Sequence, residues 1–180
     1  YANANFDEKE LRELQWGVVR QATLGSQRAK THTLPNLLAE MNDCRISRSC
    51  LLPIAFGLPF GDSLTEKWIA AVESSPDSTR FIPGASVHPR DPDALTRLRE
   101  FARQGCRIVK LHPGVQRFYA DQPEAMAIYE VCEQLGLVVF FHAGRAGIEP
   151  QMAQQYNLVR FLEPVLAEFA PYFERVSVKR

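Results

Sequence analysis

Four times along this chain a short apolar stretch recurs, and between each pair lie a turn and a capped amphipathic helix. The stretches begin about thirty residues apart. They are residues 48–54 (RSCLLPI), 81–87, 106–112 and 137–142. Right-handed crossovers oblige such a run of βα units to form a parallel sheet. The last stretch, LVVFFHAG at 137–144, is saturated with apolar residues and then stops at a histidine and two small residues. A strand buried on both faces reads this way, so His142 falls where the strand runs out into its loop.

The segments between are helical by spacing and by their caps. Leu11, Leu14, Val18 and Val19 mark an amphipathic helix over 6–24, and Thr33 caps a second helix through Leu37, Leu38 and Met41. Asp62 caps a helix over 63–74. Asp91, with Pro92 at the first helical position, caps one over 93–104 that Gly105 stops. Asp121 caps a helix through Leu135 that Gly136 ends, and a further helix over 159–169 is adjusted at Pro164. A short β-like stretch closes the chain at 176–178. The organisation expected is an N-terminal helical segment over 1–33 leading into one α/β body over 34–180.

Two architectures fit this count: a doubly wound five-stranded sheet, or a contiguous piece of a (β/α)8 TIM barrel, whose full length is about 250 residues. A doubly wound nucleotide-binding domain carries a glycine-rich phosphate loop after its first strand. Neither GxGxxG nor GxxxxGK[ST] occurs here, which favours the barrel piece.

Composition narrows the partners. Lys plus Arg and Asp plus Glu are both 21, so no net charge draws the chain to nucleic acid or to an anionic membrane. No stretch approaches the ~20 apolar residues of a membrane span, and the first ten residues lack a signal-peptide pattern. The four cysteines show neither CxxC pairing nor the dense spacing of a disulfide framework; Cys106 and Cys132 read as buried free thiols. The expectation is a cytoplasmic protein with a small-molecule substrate, with homo-oligomerisation left open. The chain begins without methionine, which is expected of a fragment.

The residues able to carry chemistry gather at strand ends, where loops of α/β folds converge on one crevice. Alternation puts Val138, Phe140 and His142 on one face of their strand, and Ile108, Lys110 and His112 on one face of the strand before it. Neighbouring strands would then bring Lys110, His112 and His142 into one polar cluster. His142 is a candidate metal ligand or general base, and a histidine merely satisfied by hydrogen bonds is the alternative. Lys110 can cap carbonyls, hold a substrate carboxylate or act as an activated amine, with substrate or backbone binding ranked first. His112 and His88 each precede a proline, so a turn-forming role competes with a catalytic one. Arg145 can grip an anionic substrate. One histidine makes no metal site, since zinc needs at least three protein ligands and no HxH or HExxH occurs.

Taken in order, LLPI at 51–54, GASVHPRDPDAL at 84–95 and the continuous segment from Gly105 to Gly144 resemble the amidohydrolase-related TIM-barrel family of metal-dependent hydrolases. The resemblance covers roughly residues 34–170. It implies a (β/α)8 barrel of which this chain is about strands 2 to 5 or 6, with a divalent metal, zinc in the usual case, at the mouth. The metal activates water for hydrolysis or polarises a carboxylated substrate for decarboxylation. The family places an HxH after the first strand, histidines after the fifth and sixth, and an aspartate after the eighth. His142 matches the fifth-strand ligand, and Lys110 matches the fourth-strand position that is a carboxylated lysine in dinuclear relatives. The remaining ligands have no counterpart here. The assignment that follows gives His142 to the metal, His112 and Lys110 to catalysis, and Arg145 with Lys110 to a small polar or carboxylated substrate. The competing reading is a metal-free, inactive barrel-derived binding or structural fragment; a flavodoxin-like binding domain is a third.

Overall fold

The computed structural model describes residues 34–57, 64–144 and 151–170. The expected helix over 6–24, the caps Thr33 and Asp62, Arg145 and the stretch 176–178 lie outside these residues. The chain divides into two compact units, one drawn from 1–51 and 66–82, the other from 52–65 and 83–180.

The elements alternate as the apolar pattern requires. In chain order they are α1 (Leu34–Asp43), β1 (Ser49–Leu51), α2 (Leu64–Ser74), β2 (Phe81–Ala85), α3 (Ala94–Arg103), β3 (Ile108–Leu111), α4 (Pro113–Gln116), α5 (Pro123–Leu135), β4 (Val138–Phe141) and α6 (Glu163–Glu168). The strands stand in the order β1-β2-β3-β4. Both β2 with β3 and β3 with β4 are parallel. Sequential order is what barrel connectivity demands, and it rejects the 2-1-3-4-5 order of a flavodoxin-like sheet.

In the first unit Met41, Trp68 and Phe81 are buried. The Arg80 guanidinium ties α1 to the approach of β1 by donating to Asn42 Oδ1 and to the Ile46 and Ser47 carbonyls. In the second unit α3 packs on α5, and α4 packs on a 3₁₀ segment, Gln151–Asn157. Val109 and Leu111 of β3 are fully buried, as are Ala125, Ile128 and Cys132 of α5. Cys106 and Cys132 are buried free thiols as expected, and burial pushes the Cys106 thiol up to about 11 and the Cys132 thiol up to about 12. Cys44 and Cys50 are exposed. Among the described residues no helix is long and apolar enough to cross a membrane.

Helix starts are where the structure departs from the pattern. Asp91 does not cap α3: its carboxylate accepts the Asp93 N–H at 3.0 Å inside a preceding turn and pairs with Arg97 at 2.9 Å. The helix therefore begins at Ala94, with Asp93 at the cap. Nor does Asp121 cap α5. Gln122 holds that place because Pro123, with its fixed φ, starts the helix, and the Gln122 side chain accepts the Tyr119 N–H instead. The stretch 159–169 splits into a 3₁₀ turn, Val159–Phe161, and α6, because Pro164 lacks an N–H and is tolerated only in a first turn. A short helix, α4, also occupies what reads as loop after β3.

The two faces of β4 differ. Val139 and Phe141 turn toward the helices, where Phe141 meets Tyr129 edge-on at 5.5 Å. Val138 and Phe140, on the other face, are 42% and 50% exposed. That is the face which alternation assigns to the barrel interior. Ile128→Ala is expected to cost about 2–5 kcal/mol, since its site is fully buried, and Val138→Thr less than about 1 kcal/mol. Urea unfolding of the two variants checks the contrast.

Candidate active site at the strand exits

The parallel register decides which side chains meet. Lys110 stands level with Phe140, and the His142 N–H donates to the Leu111 carbonyl at 3.0 Å, so the ladder continues past both strands. Two residues on, His112 comes level with His142. Their imidazoles stack, with centroids 4.0 Å apart and planes 9° from parallel. The cluster expected from strand alternation thus forms, with Lys110 beneath it. The Lys110 Nζ lies 5.0 Å from the Phe140 ring centroid, a cation–π contact.

His112 is only 3% exposed and its ring is held from below. Pro113 opens α4, and His112 caps that helix: its Nδ1 accepts the Val115 N–H at 3.3 Å. A backbone N–H can only donate, so Nδ1 is the unprotonated nitrogen and the neutral ring carries its proton on Nε2. Burial, followed by the neighbouring His142 and Lys110, lowers the His112 pKa to about 4. His112 is therefore a neutral donor at this site, and Nδ1 is not free to bind a metal. Lys110 is 8% exposed, and burial lowers its pKa to about 8.

His142 differs from its neighbour in one respect. Its Nε2 is buried and meets no hydrogen-bond partner, the one such side-chain atom among the described residues. Leaving an imidazole nitrogen so is costly unless something outside the protein's own groups satisfies it. No group of three or more His, Cys, Asp or Glu that could hold a metal ion occurs among the described residues. His142 Nε2 is thus a single candidate donor at this exit.

His88 resolves to the structural reading. Its Nε2–H donates to the Gln116 carbonyl at 2.9 Å and its Nδ1 accepts the Arg90 N–H at 3.1 Å, so both ring nitrogens are in use. The loop after β1 lies close above it: a Cβ at Gly57, where φ is +73°, would sit 2.7 Å from the ring. Burial holds the His88 pKa below its ordinary value.

The pattern of apolar stretches gave no notice of the buried polar residues that brace these exits. Ser86 Oγ accepts the Ala55 N–H at 2.9 Å and donates to the Lys110 carbonyl at 2.8 Å. Asn157 Oδ1 accepts the Gly114 N–H at 2.7 Å, and the Asn157 carbonyl accepts the Gly144 N–H at 3.0 Å, clasping the loops that follow β3 and β4. Gln116 is the third. The signal available in sequence was a polar side chain, four residues after His112, in a stretch otherwise bounded by Pro113 and Phe118.

Both buried histidines make the fold acid-sensitive. An unfolded histidine takes its proton near pH 6.5, whereas folded His112 does so only near 4 and His88 also below its ordinary value. Between those limits the unfolded chain binds more protons, so stability present at neutral pH is lost as pH falls from about 6.5 toward 4. A lower urea midpoint at pH 5 than at pH 7 is expected, and equal midpoints would contradict the neutral, buried assignment.

Comparison with known proteins places this geometry. No curated protein matches the chain. Among solved structures it is similar to an uncharacterized TIM-barrel protein of Bordetella bronchiseptica, at a TM-score of 0.62 and 22% sequence identity. That similarity covers 88% of this chain and 57% of the other, so the chain spans little more than half the length of this relative. At this identity the likeness establishes the fold, a portion of a TIM barrel, in agreement with the sequential strand order. The family described as Amidohydrolase matches residues 61–173, well over half of the chain and all of β2 through β4. Part of a TIM barrel by its fold, with paired histidines at the exits of β3 and β4, the chain belongs to the amidohydrolase family.

Proposed function

We propose that this chain is the part of a metal-dependent amidohydrolase that supplies one metal ligand and one wall of the substrate site. The observation that carries the reading is the buried, unpartnered His142 Nε2 at the exit of β4. A neutral imidazole nitrogen suits zinc and similar divalent ions, and the further ligands would come from outside the described residues. When bound, such an ion supplies Lewis-acid polarisation of the electrophile and a nucleophile at neutral pH.

The chain's own residues account for the rest. His112, neutral and donating from Nε2, offers a hydrogen bond to a substrate oxygen. Lys110 offers a cation in a partly desolvated setting, where attraction to a carboxylate or a polarised carbonyl is stronger than in water. Stacking on His142 keeps the His112 donor beside the ligand. The substrate class that fits is a small polar or carboxylated molecule, and the reaction is hydrolysis or, on a carboxylated substrate, decarboxylation. Arg145, two residues beyond Ala143, is kept in this reading as a second anion contact. The buried free thiols fit a reducing cytoplasm.

Metal content of the full-length protein tests the ligand. His142→Ala is expected to lose most of the bound zinc with little change in thermal midpoint, because an exit residue contributes more to the site than to the core. Undiminished zinc in that variant would overturn the assignment. For Lys110, Lys110→Met is expected to raise KM about tenfold or more while kcat stays within about threefold. Native mass measurement should show Lys110 unmodified; a carboxylated lysine would make it a ligand instead.

A further inference from the structure

The Gln116 side chain is almost wholly buried and every polar atom on it is used. Its Oε1 accepts the His112 N–H at 2.8 Å, and its Nε2 donates to the Ala55 and Val87 carbonyls, both at 2.9 Å. Its main chain is engaged as well: the Gln116 N–H donates to the His112 carbonyl at 2.9 Å, and its carbonyl accepts from His88 Nε2. One residue thus joins the loop after β1, the exit of β2 and the exit of β3. Two acceptors on one side and a donor on the other also fix which end of the amide faces His112.

We infer that Gln116 is a positioning residue for His112. The backbone of His112 is held by Gln116 at both its N–H and its C=O, and its ring is held at Nδ1 by Val115. With three atoms fixed, the imidazole has one pose, the one in which it stacks on His142 and presents Nε2–H. The tie to Ala55 and Val87 anchors that pose to the loop after β1 and to the exit of β2 rather than to α4 alone. The inference deepens the proposed function, in which His112 serves the substrate, and its geometry stands independently of any metal.

Nitrogen–proton NMR of the imidazoles in the full chain, with no metal added, tests it. The wild-type protein is expected to show His112 with Nδ1 unprotonated and with cross-relaxation to the His142 ring. Gln116→Met keeps the volume and removes all three side-chain bonds, so the His112 tautomer should become mixed and the contact with His142 should be lost. Gln116→Glu keeps an oxygen facing the His112 N–H and removes at least one donor to the two carbonyls. It should lower the thermal midpoint while leaving the His112 signature in place. An Nδ1-protonated His112 in the wild type, an unchanged His112 in folded Gln116→Met, or a displaced one in folded Gln116→Glu would each overturn the inference. If Gln116→Met does not fold, the wild-type tautomer and Gln116→Glu decide. Absence of zinc from the full-length protein would defeat the proposed function and leave this result untouched.

Discussion

Side chains alternate along a strand, and parallel neighbours keep their register to the end of the ladder. That constraint builds the site. Because Lys110 stands level with Phe140, the next inward positions, His112 and His142, emerge together and stack. A slip of one residue would turn His142 toward the helix face, where Phe141 packs on Tyr129, and would leave His112 without a partner. The pairing is protected by what lies on that helix face: Val109 and Leu111 are fully buried there, and a slip would exchange them for Lys110 and His112. The apolar core thus sets the geometry in which the two histidines meet.

A second constraint acts at the same place. Where strands end, their N–H and C=O groups lose ladder partners, and at a buried exit water does not replace them. Ser86, Gln116 and Asn157 take up that function, and they are buried for that reason. The same exclusion of water holds His112 neutral at pH 7 and lowers the Lys110 pKa to about 8. Bracing the exits and tuning the groups that emerge from them are therefore one physical effect seen twice.

The strand order, the α/β class and the meeting of His112 with His142 were legible because each follows from period two, period 3.6 and right-handed crossovers. Helix starts were less legible. Asp91 and Asp121 are good caps in isolation, but Arg97 draws the first into a turn and Pro123 sets the start of α5 whatever precedes it. His88 could not be separated from His112 by sequence, since both precede proline at a strand end. Only the three-dimensional partners, Gln116 and Arg90, show that His88 has no nitrogen left to use. Gln116 itself was hidden because its role rests on Ala55 and Val87, 61 and 29 residues away, and no local pattern records such contacts.

The burial of the inner face falls off across the sheet in a way that bears on how the site is completed. Lys110 on β3 is 8% exposed, whereas Val138 and Phe140, on the same face of β4, are about half exposed. β3 has a neighbour on each side; β4 pairs with β3 alone among the described strands. The Bordetella relative, of which this chain spans 57%, has length enough for further strands. In the proposed reading His142 therefore stands on the last described strand, with its free nitrogen buried and the inner-face residues before it uncovered. A further strand paired beside β4 would cover Val138 and Phe140 and would bring its own exit next to His142 Nε2, by the same register that sets His112 against His142.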